Sequence, residues 1–208
     1  MVKLLVGLTG GFGTGKSTVL KMFQKCGAHT ISADDIVKGC WRPGSPVHSR
    51  LKALVKKQGL LKSSKDSISL QAVAREAFQN KAFRMKLEKV LHPEVFRKIN
   101  LARKRETGIL VAEIPLLFET GFNREANFVV TVKTSSNKSK ARLKKFRGLS
   151  SKEWETRSKA QWSIGRKIKK SDAIIRNNGN LAQTQSQVKK IWNQINCLMK
   201  VNKGENSE

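Results

Sequence analysis

Long apolar runs, cysteine pairs and acidic residues are what this 208-residue chain has least of. No stretch approaches the roughly 20 apolar residues that span a bilayer, so no membrane partner is expected. Three cysteines (Cys26, Cys40 and Cys197) are odd in number, widely spaced and free of any C-x-x-C. That excludes a disulfide framework and fits a reduced, cytoplasmic protein. The histidines, His29, His48 and His92, stand at no metal-ligand spacing with them, so no zinc site is expected. Nor does the amino terminus read as a signal peptide, because its apolar stretch stops at Leu8 and enters a glycine-rich segment.

The shortage of negative charge is harder to place. Fifteen Asp and Glu against forty-two Lys and Arg leave a formal net charge of +27, a level that goes with polyanionic partners. From 133 to 170 there are fourteen basic residues and two acidic ones, Glu153 and Glu155. Aromatics interleave that run only at Phe146, Trp154 and Trp162, too few for a base-stacking platform, and no helix-turn-helix or RRM signature is present. A solvated basic surface and a functional one both stay open; polyphosphate substrates would suit a basic cleft. Nucleic acid is expected only as non-specific electrostatic binding.

What is present is a phosphate loop. Gly10-Gly11-Phe12-Gly13-Thr14-Gly15-Lys16-Ser17 fits G-x-x-x-x-G-K-[ST] between an apolar strand at 2–8 and a helical pattern from Thr18, the context that confirms it. Glycines let backbone N–H groups turn inward around a β-phosphate, and the following helix adds its positive end. Lys16 can reach the β- and γ-phosphates, and the Ser17 hydroxyl can ligate Mg²⁺. The candidate ATP contacts are therefore Gly11, Phe12, Gly13, Thr14, Gly15, Lys16, Ser17 and Thr18.

Further strands are predicted at 29–32, 108–113, 126–133 and 173–176, with helices at 16–25 and 186–199. The stretch 35–107 shows turn signals and helical patterns at 51–57, 70–78 and 82–91 but no convincing strand. A second excursion, 134–171, is basic and helical, with Ser150 and Glu153 spaced as a capping box. The expectation is an α/β, three-layer P-loop NTPase sandwich on a five-stranded parallel sheet. Its core is 1–34, 108–133 and 172–199, with a helical acceptor-binding insertion at 35–107, a helical lid at 134–171 and a frayed tail at 200–208. Such a lid closes over ATP and excludes water.

Taken in order, the motifs resemble those of the dephospho-coenzyme A kinases. They are Leu8-Thr9-Gly10-Gly11 with Gly15-Lys16-Ser17, Ser32-Ala33-Asp34, Leu91-His92-Pro93, Glu113-Ile114-Pro115-Leu116-Leu117-Phe118-Glu119 and Asn177-Asn178-Gly179. The resemblance spans roughly residues 4 to 197. It implies transfer of the γ-phosphoryl of ATP to the 3′-hydroxyl of dephospho-coenzyme A, with Mg²⁺ as cofactor, in a monomer or weak homo-oligomer. Asp34 would orient and deprotonate the acceptor hydroxyl, or else cap the next helix. Glu113 would hold Mg²⁺ with Ser17, through water, or pair with a nearby cation. His92 and Pro93 would meet the acceptor nucleotide, or form a helix end. Leu116 and Leu117 would be pocket wall or core, and Glu119 an acceptor contact or a loop brace. Arg142 is the candidate transition-state arginine, with Arg147 a further ATP contact. Asn177 would read adenine, or simply turn the chain. Three positions depart from the family pattern: Ser32 and Glu113 stand where Asp is usual, and Phe146 stands where the lid's second Arg is usual. Kinases of another small acceptor and a P-loop protein bound to RNA or ribosomes are the alternatives; the Asp-Gly-x-Pro-Arg and guanine-reading motifs they use are absent.

Overall fold

The computed structural model describes residues 3–62, 67–148 and 150–201, without the side chains of Lys3, Lys62, Ser67, Phe146, Arg147 and Val201. It divides into two compact units, Met1–Ala33 with Ile99–Glu208, and Asp34–Lys98.

The first unit is built on a five-stranded sheet of β1 (Lys3–Gly10), β2 (His29–Ser32), β5 (Gly108–Glu113), β6 (Phe128–Lys133) and β7 (Ala173–Arg176), in the order β2-β5-β1-β6-β7. Every pairing is parallel. Such strands are buried on both faces, which is why they read as near-continuous apolar runs rather than alternating ones. The register sets Leu8 and Ser32 opposite Glu113, Gly10 opposite Val132 and Lys133 opposite Arg176. The carboxyl ends of all five strands therefore share one edge, and β1 lies where the strand order reverses, the place where open α/β sheets bind ligands. Over one face pack α1 (Lys16–Lys25) and α9 (Leu181–Val201), whose Val19, Phe23, Val188 and Ile195 are fully buried with Leu8, Val111 and Ile175. The segment between β6 and β7 carries α6 (Ser136–Arg147), α7 (Ser151–Lys159) and α8 (Ile164–Ile168). The expected capping box of α7 is present, Ser150 and Glu153 bonding reciprocally.

The second unit holds α2 (Ala33–Cys40), α3 (His48–Lys57), α4 (Leu70–Gln79) and the greater part of α5 (Lys81–Arg105). Leu51, Val55, Val73, Phe83 and Leu87 are buried in it. The expectation of no strand here is corrected by a short antiparallel pair, β3 (Leu61–Lys62) with β4 (Ser67–Ile68). A second correction concerns Pro93, which lies inside α5 rather than at a helix end. Its ring faces solvent, while Val90, Leu91 and Val95 on either side are buried, so packing holds the helix through a residue without an N–H. The last helix begins at Leu181, five residues before the predicted start. Asn180 and Gln183 cap it reciprocally, Gln183 N donating to Asn180 Oδ1 (2.9 Å) and Asn180 N to Gln183 Oε1 (3.2 Å). No helix among the described residues is long and apolar enough to cross a membrane.

Candidate active site

The phosphate loop joins the end of β1 to the start of α1, and its shape depends on two glycines in the left-handed region. Gly15, at φ 88°, precedes α1, and a Cβ there would fall 2.3 Å from Asn177 Nδ2. Gly13, at φ 75°, would drive a Cβ to 2.5 Å from Leu143 Cδ1 of α6. No other residue fits either place.

When a loop turns its N–H groups inward, its carbonyls point outward and must find donors elsewhere. The Thr14 carbonyl accepts from Asn177 Nδ2 (2.9 Å) and Thr134 Oγ1 (3.0 Å). Thr184 Oγ1 in turn donates to Asn177 Oδ1 (3.0 Å), and all four residues are buried. Both ends of the Asn177 amide thus hold the loop, from the turn that follows β7. Thr134 and Thr184 were not singled out in the sequence, where nothing separates them from other threonines.

Lys16 donates from Nζ to Gly11 O (2.9 Å) and Gly10 O (3.4 Å), resting along the first turn of the loop. Ser17 Oγ donates to Glu113 Oε1 (3.2 Å) from the first turn of α1 to the end of β5. Two oxygen donors beside a phosphate loop suit a hard cation such as Mg²⁺, which takes one or two protein oxygens and fills its octahedron with phosphates and water. Among the described residues no group of three or more His, Cys, Asp or Glu could hold a metal ion. Arg142 lies at the helix end of the same loop: a Cβ on Gly15 would stand 3.8 Å from its Nη1. The side chains of Arg147 and Phe146 lie outside the described residues. Thr18 N bonds Gly15 O (3.1 Å) in the opening turn of α1.

The turn after β5 is locked from beneath. Pro115 O accepts from Thr9 Oγ1 (3.2 Å) on β1 and from Lys167 Nζ (2.6 Å) on α8. Lys167 also pairs with Glu119 Oε1 (2.9 Å), which takes the Trp162 N–H as well (2.7 Å). The ammonium is wholly buried; burial pushes its pKa below the usual lysine value, against the pull of Glu119. Phe118 and Trp162 stack nearly parallel, 6.0 Å apart, with Arg166 over the Trp162 ring at 3.4 Å. Glu119 thus braces the loop. Leu117 is fully buried, its Cδ2 2.8 Å from where a Gly7 Cβ would sit, as the core alternative for it has it; Leu116 is half-buried. The importance of Lys167 has no sequence signal, since it is one of many lysines in a basic run.

Within the second unit, Asp34 is exposed in the first turn of α2, directly after the end of β2. His92 stacks on Phe96 (6.1 Å between centroids), and burial lowers its pKa despite the pull of Glu88, favouring the neutral ring.

Residues 4–183 match the dephospho-CoA kinase family model. The chain belongs to the dephospho-CoA kinase family. It is 36% identical over 193 residues to the dephospho-CoA kinase of Symbiobacterium thermophilum, an alignment covering 90% of this chain and 80% of that one. Among solved structures it is similar to TT1252 from Thermus thermophilus (TM-score 0.81, 25% identity, 92% of this chain and 97% of that one). It is also similar to the dephospho-CoA kinase from Campylobacter jejuni (TM-score 0.59, 25% identity, 92% and 96%). The five-stranded P-loop kinase sheet is thus the fold of a dephospho-CoA kinase.

The buried pair gives a stability prediction. Lys167→Met leaves a largely buried carboxylate without its cation and should destabilise by about 3 kcal/mol in urea unfolding. Adding Glu119→Leu should recover most of that loss. A single variant as stable as wild type would show that the pair holds nothing.

Proposed function

We propose that this dephospho-CoA kinase family member transfers the γ-phosphoryl group of ATP to the 3′-hydroxyl of dephospho-coenzyme A, giving coenzyme A and ADP in the last step of coenzyme A biosynthesis. Family membership over most of the chain carries the reaction. The observation within the chain that supports it is the preset phosphate loop with Ser17 on Glu113 beside it.

The roles follow from the chemistry. The loop N–H groups and Lys16 hold the β- and γ-phosphates; Ser17 and Glu113 are the residues that would hold Mg²⁺. The cation, when bound, neutralises charge on the phosphates. Arg142 meets the three equatorial oxygens of the transferring group, which a planar guanidinium matches better than an ammonium does. Asp34 orients the acceptor hydroxyl and takes its proton. His92, with Pro93, meets the acceptor nucleotide as a neutral hydrogen-bonding ring, Leu116 lines its path, and Arg147 is a further ATP contact. The 134–171 segment acts as the lid and 35–107 as the acceptor-binding insertion. Mg-ATP and dephospho-coenzyme A are the small-molecule partners, and three free thiols fit a reducing cytoplasm. A monomer or weak homo-oligomer suffices for this chemistry.

Two measurements test the reading. ADP release from Mg-ATP is followed with dephospho-coenzyme A, AMP, adenosine or no acceptor; turnover is expected with dephospho-coenzyme A alone. Preference for AMP would reassign the acceptor, and ATP binding without transfer would favour a nucleotide-switch protein. Asp34→Asn should lower kcat by roughly 10²–10⁴-fold while ATP affinity stays within about twofold. A collapse of ATP affinity with kcat intact would make Asp34 structural.

A further inference from the structure

A recess lies between the phosphate loop at Gly11 and Phe12 and the helical segment 134–171, with Trp154 and Trp162 in its lining. Cations stand over the rings that line it. Lys140 Nζ is 4.8 Å from the centre of the Trp154 ring and is also paired with Glu155 (2.9 Å). Arg166 covers the Trp162 ring, which in turn stacks on Phe118 of the turn after β5. Arg157, half-buried on α7, differs from both: its ring is Phe12, part of the phosphate loop itself, with 5.4 Å from Cζ to the ring centre. That is within the roughly 6 Å over which a ring face attracts a guanidinium.

The two ends of the loop are approached by different helices. Lys16, the residue that reaches the β- and γ-phosphates, rests on the Gly10 and Gly11 carbonyls, so these mark the γ-phosphate end. Phe12 follows directly, and Arg157 of α7 meets it there. One residue further on, α6 closes in, with Leu143 against Gly13 and Arg142 beside Gly15 at the helix end. Arg142 and Arg157 therefore flank the loop from opposite ends.

A phosphoryl group in transfer spreads its charge over three equatorial oxygens, and a cation that stabilises it must already stand where that charge develops. An aromatic ring is suited to holding such a cation. It attracts a guanidinium through its π face and, unlike a carboxylate, does not take a pair of the in-plane N–H donors that phosphate oxygens need. The phosphate-loop motif leaves position 12 unspecified, so binding phosphate does not by itself call for a ring there. We infer that Arg157 is a catalytic residue, meeting the transferring phosphoryl group from the Phe12 end of the loop, and that Phe12 is the positioning residue that holds it there. Arg142 serves the same group from the Gly15 end. This deepens the proposed function and rests on it.

The test is a double-mutant cycle on kcat with Mg-ATP and dephospho-coenzyme A, with ligand affinities measured by calorimetry and folding by thermal melts. Arg157→Met, which keeps an apolar stem and removes the guanidinium, should lower kcat by roughly 10²–10³-fold, the range for losing one preorganised donor group. Its affinity for Mg-ATP should stay within about threefold of wild type, while its affinity for Mg-ADP with aluminium fluoride, a mimic of the transferring group, should fall with kcat. Phe12→Leu should lower kcat by about three- to tenfold in the wild-type background, the worth of one cation–π contact. In the Arg157→Met background the same change should cost less than about twofold, because the contact is already gone. Arg166→Gln removes an equal charge from a ring outside the loop and should leave kcat within about twofold. The inference is overturned, and the kinase reading kept, if Mg-ATP affinity falls as far as kcat in Arg157→Met or if Arg166→Gln costs as much. Equal effects of Phe12→Leu in both backgrounds would overturn it as well, and Arg157→Met decides the matter alone should Phe12→Leu fail to fold. A wild type that leaves dephospho-coenzyme A untouched removes the functional reading itself, and the inference with it.

Discussion

The carbonyl oxygen of Thr14 is the point on which the site depends. A loop that lines a triphosphate with N–H groups must aim carbonyls away from it, into protein that supplies donors. Here the donors come from Thr134, just past β6, and Asn177, just past β7, with Thr184 of α9 completing the Asn177 amide. Each sits where the parallel register ends its strand, so the sheet's alignment and the loop's shape are one constraint. Gly15 belongs to it too, because only a residue without a Cβ lets Asn177 reach the carbonyl.

A second connection runs beneath the first. Thr9, one residue before the loop, and Lys167, on α8, converge on Pro115 O, and Lys167 continues to Glu119 and so to the Trp162 peptide. Replacing a buried ion pair by apolar side chains is often neutral or stabilising, so stability is a weak reason for having one. Orientation is a better one: the pair fixes the turn after β5, the start of the loop and the base of the 134–171 segment relative to each other. For the lid role proposed for that segment, a fixed base would let it return to the same geometry each turnover.

Much of this was legible in the sequence because its signals are local. Apolar runs of strand length, the glycine spacing and the Ser150–Glu153 box each encode a short-range geometry, and all three stand in the structure. Pro93 misled because the helix-breaking preference of proline is local, whereas the burial of Leu91 and Val95 that overrides it is tertiary. The early start of the last helix was legible in Asn180 and Gln183 but was masked by the Asn-Asn-Gly turn before them. Asn177 could not be read, since an amide carries no mark of whether it faces a base or a backbone carbonyl. Lys167 was invisible for a different reason: among fourteen basic residues between 133 and 170, the sequence cannot show which one is buried.

The central claim is that Asn177 shapes the phosphate loop rather than reading the base, and calorimetric titration of Asn177→Leu with Mg-ATP, Mg-GTP and Mg-triphosphate tests it most directly. The account predicts that all three ligands weaken by a similar factor, about tenfold, because the Thr14 carbonyl loses a buried donor and the loop loses its preset shape. A variant that binds triphosphate as wild type does, while losing only its preference for ATP over GTP, would contradict it and return Asn177 to the adenine.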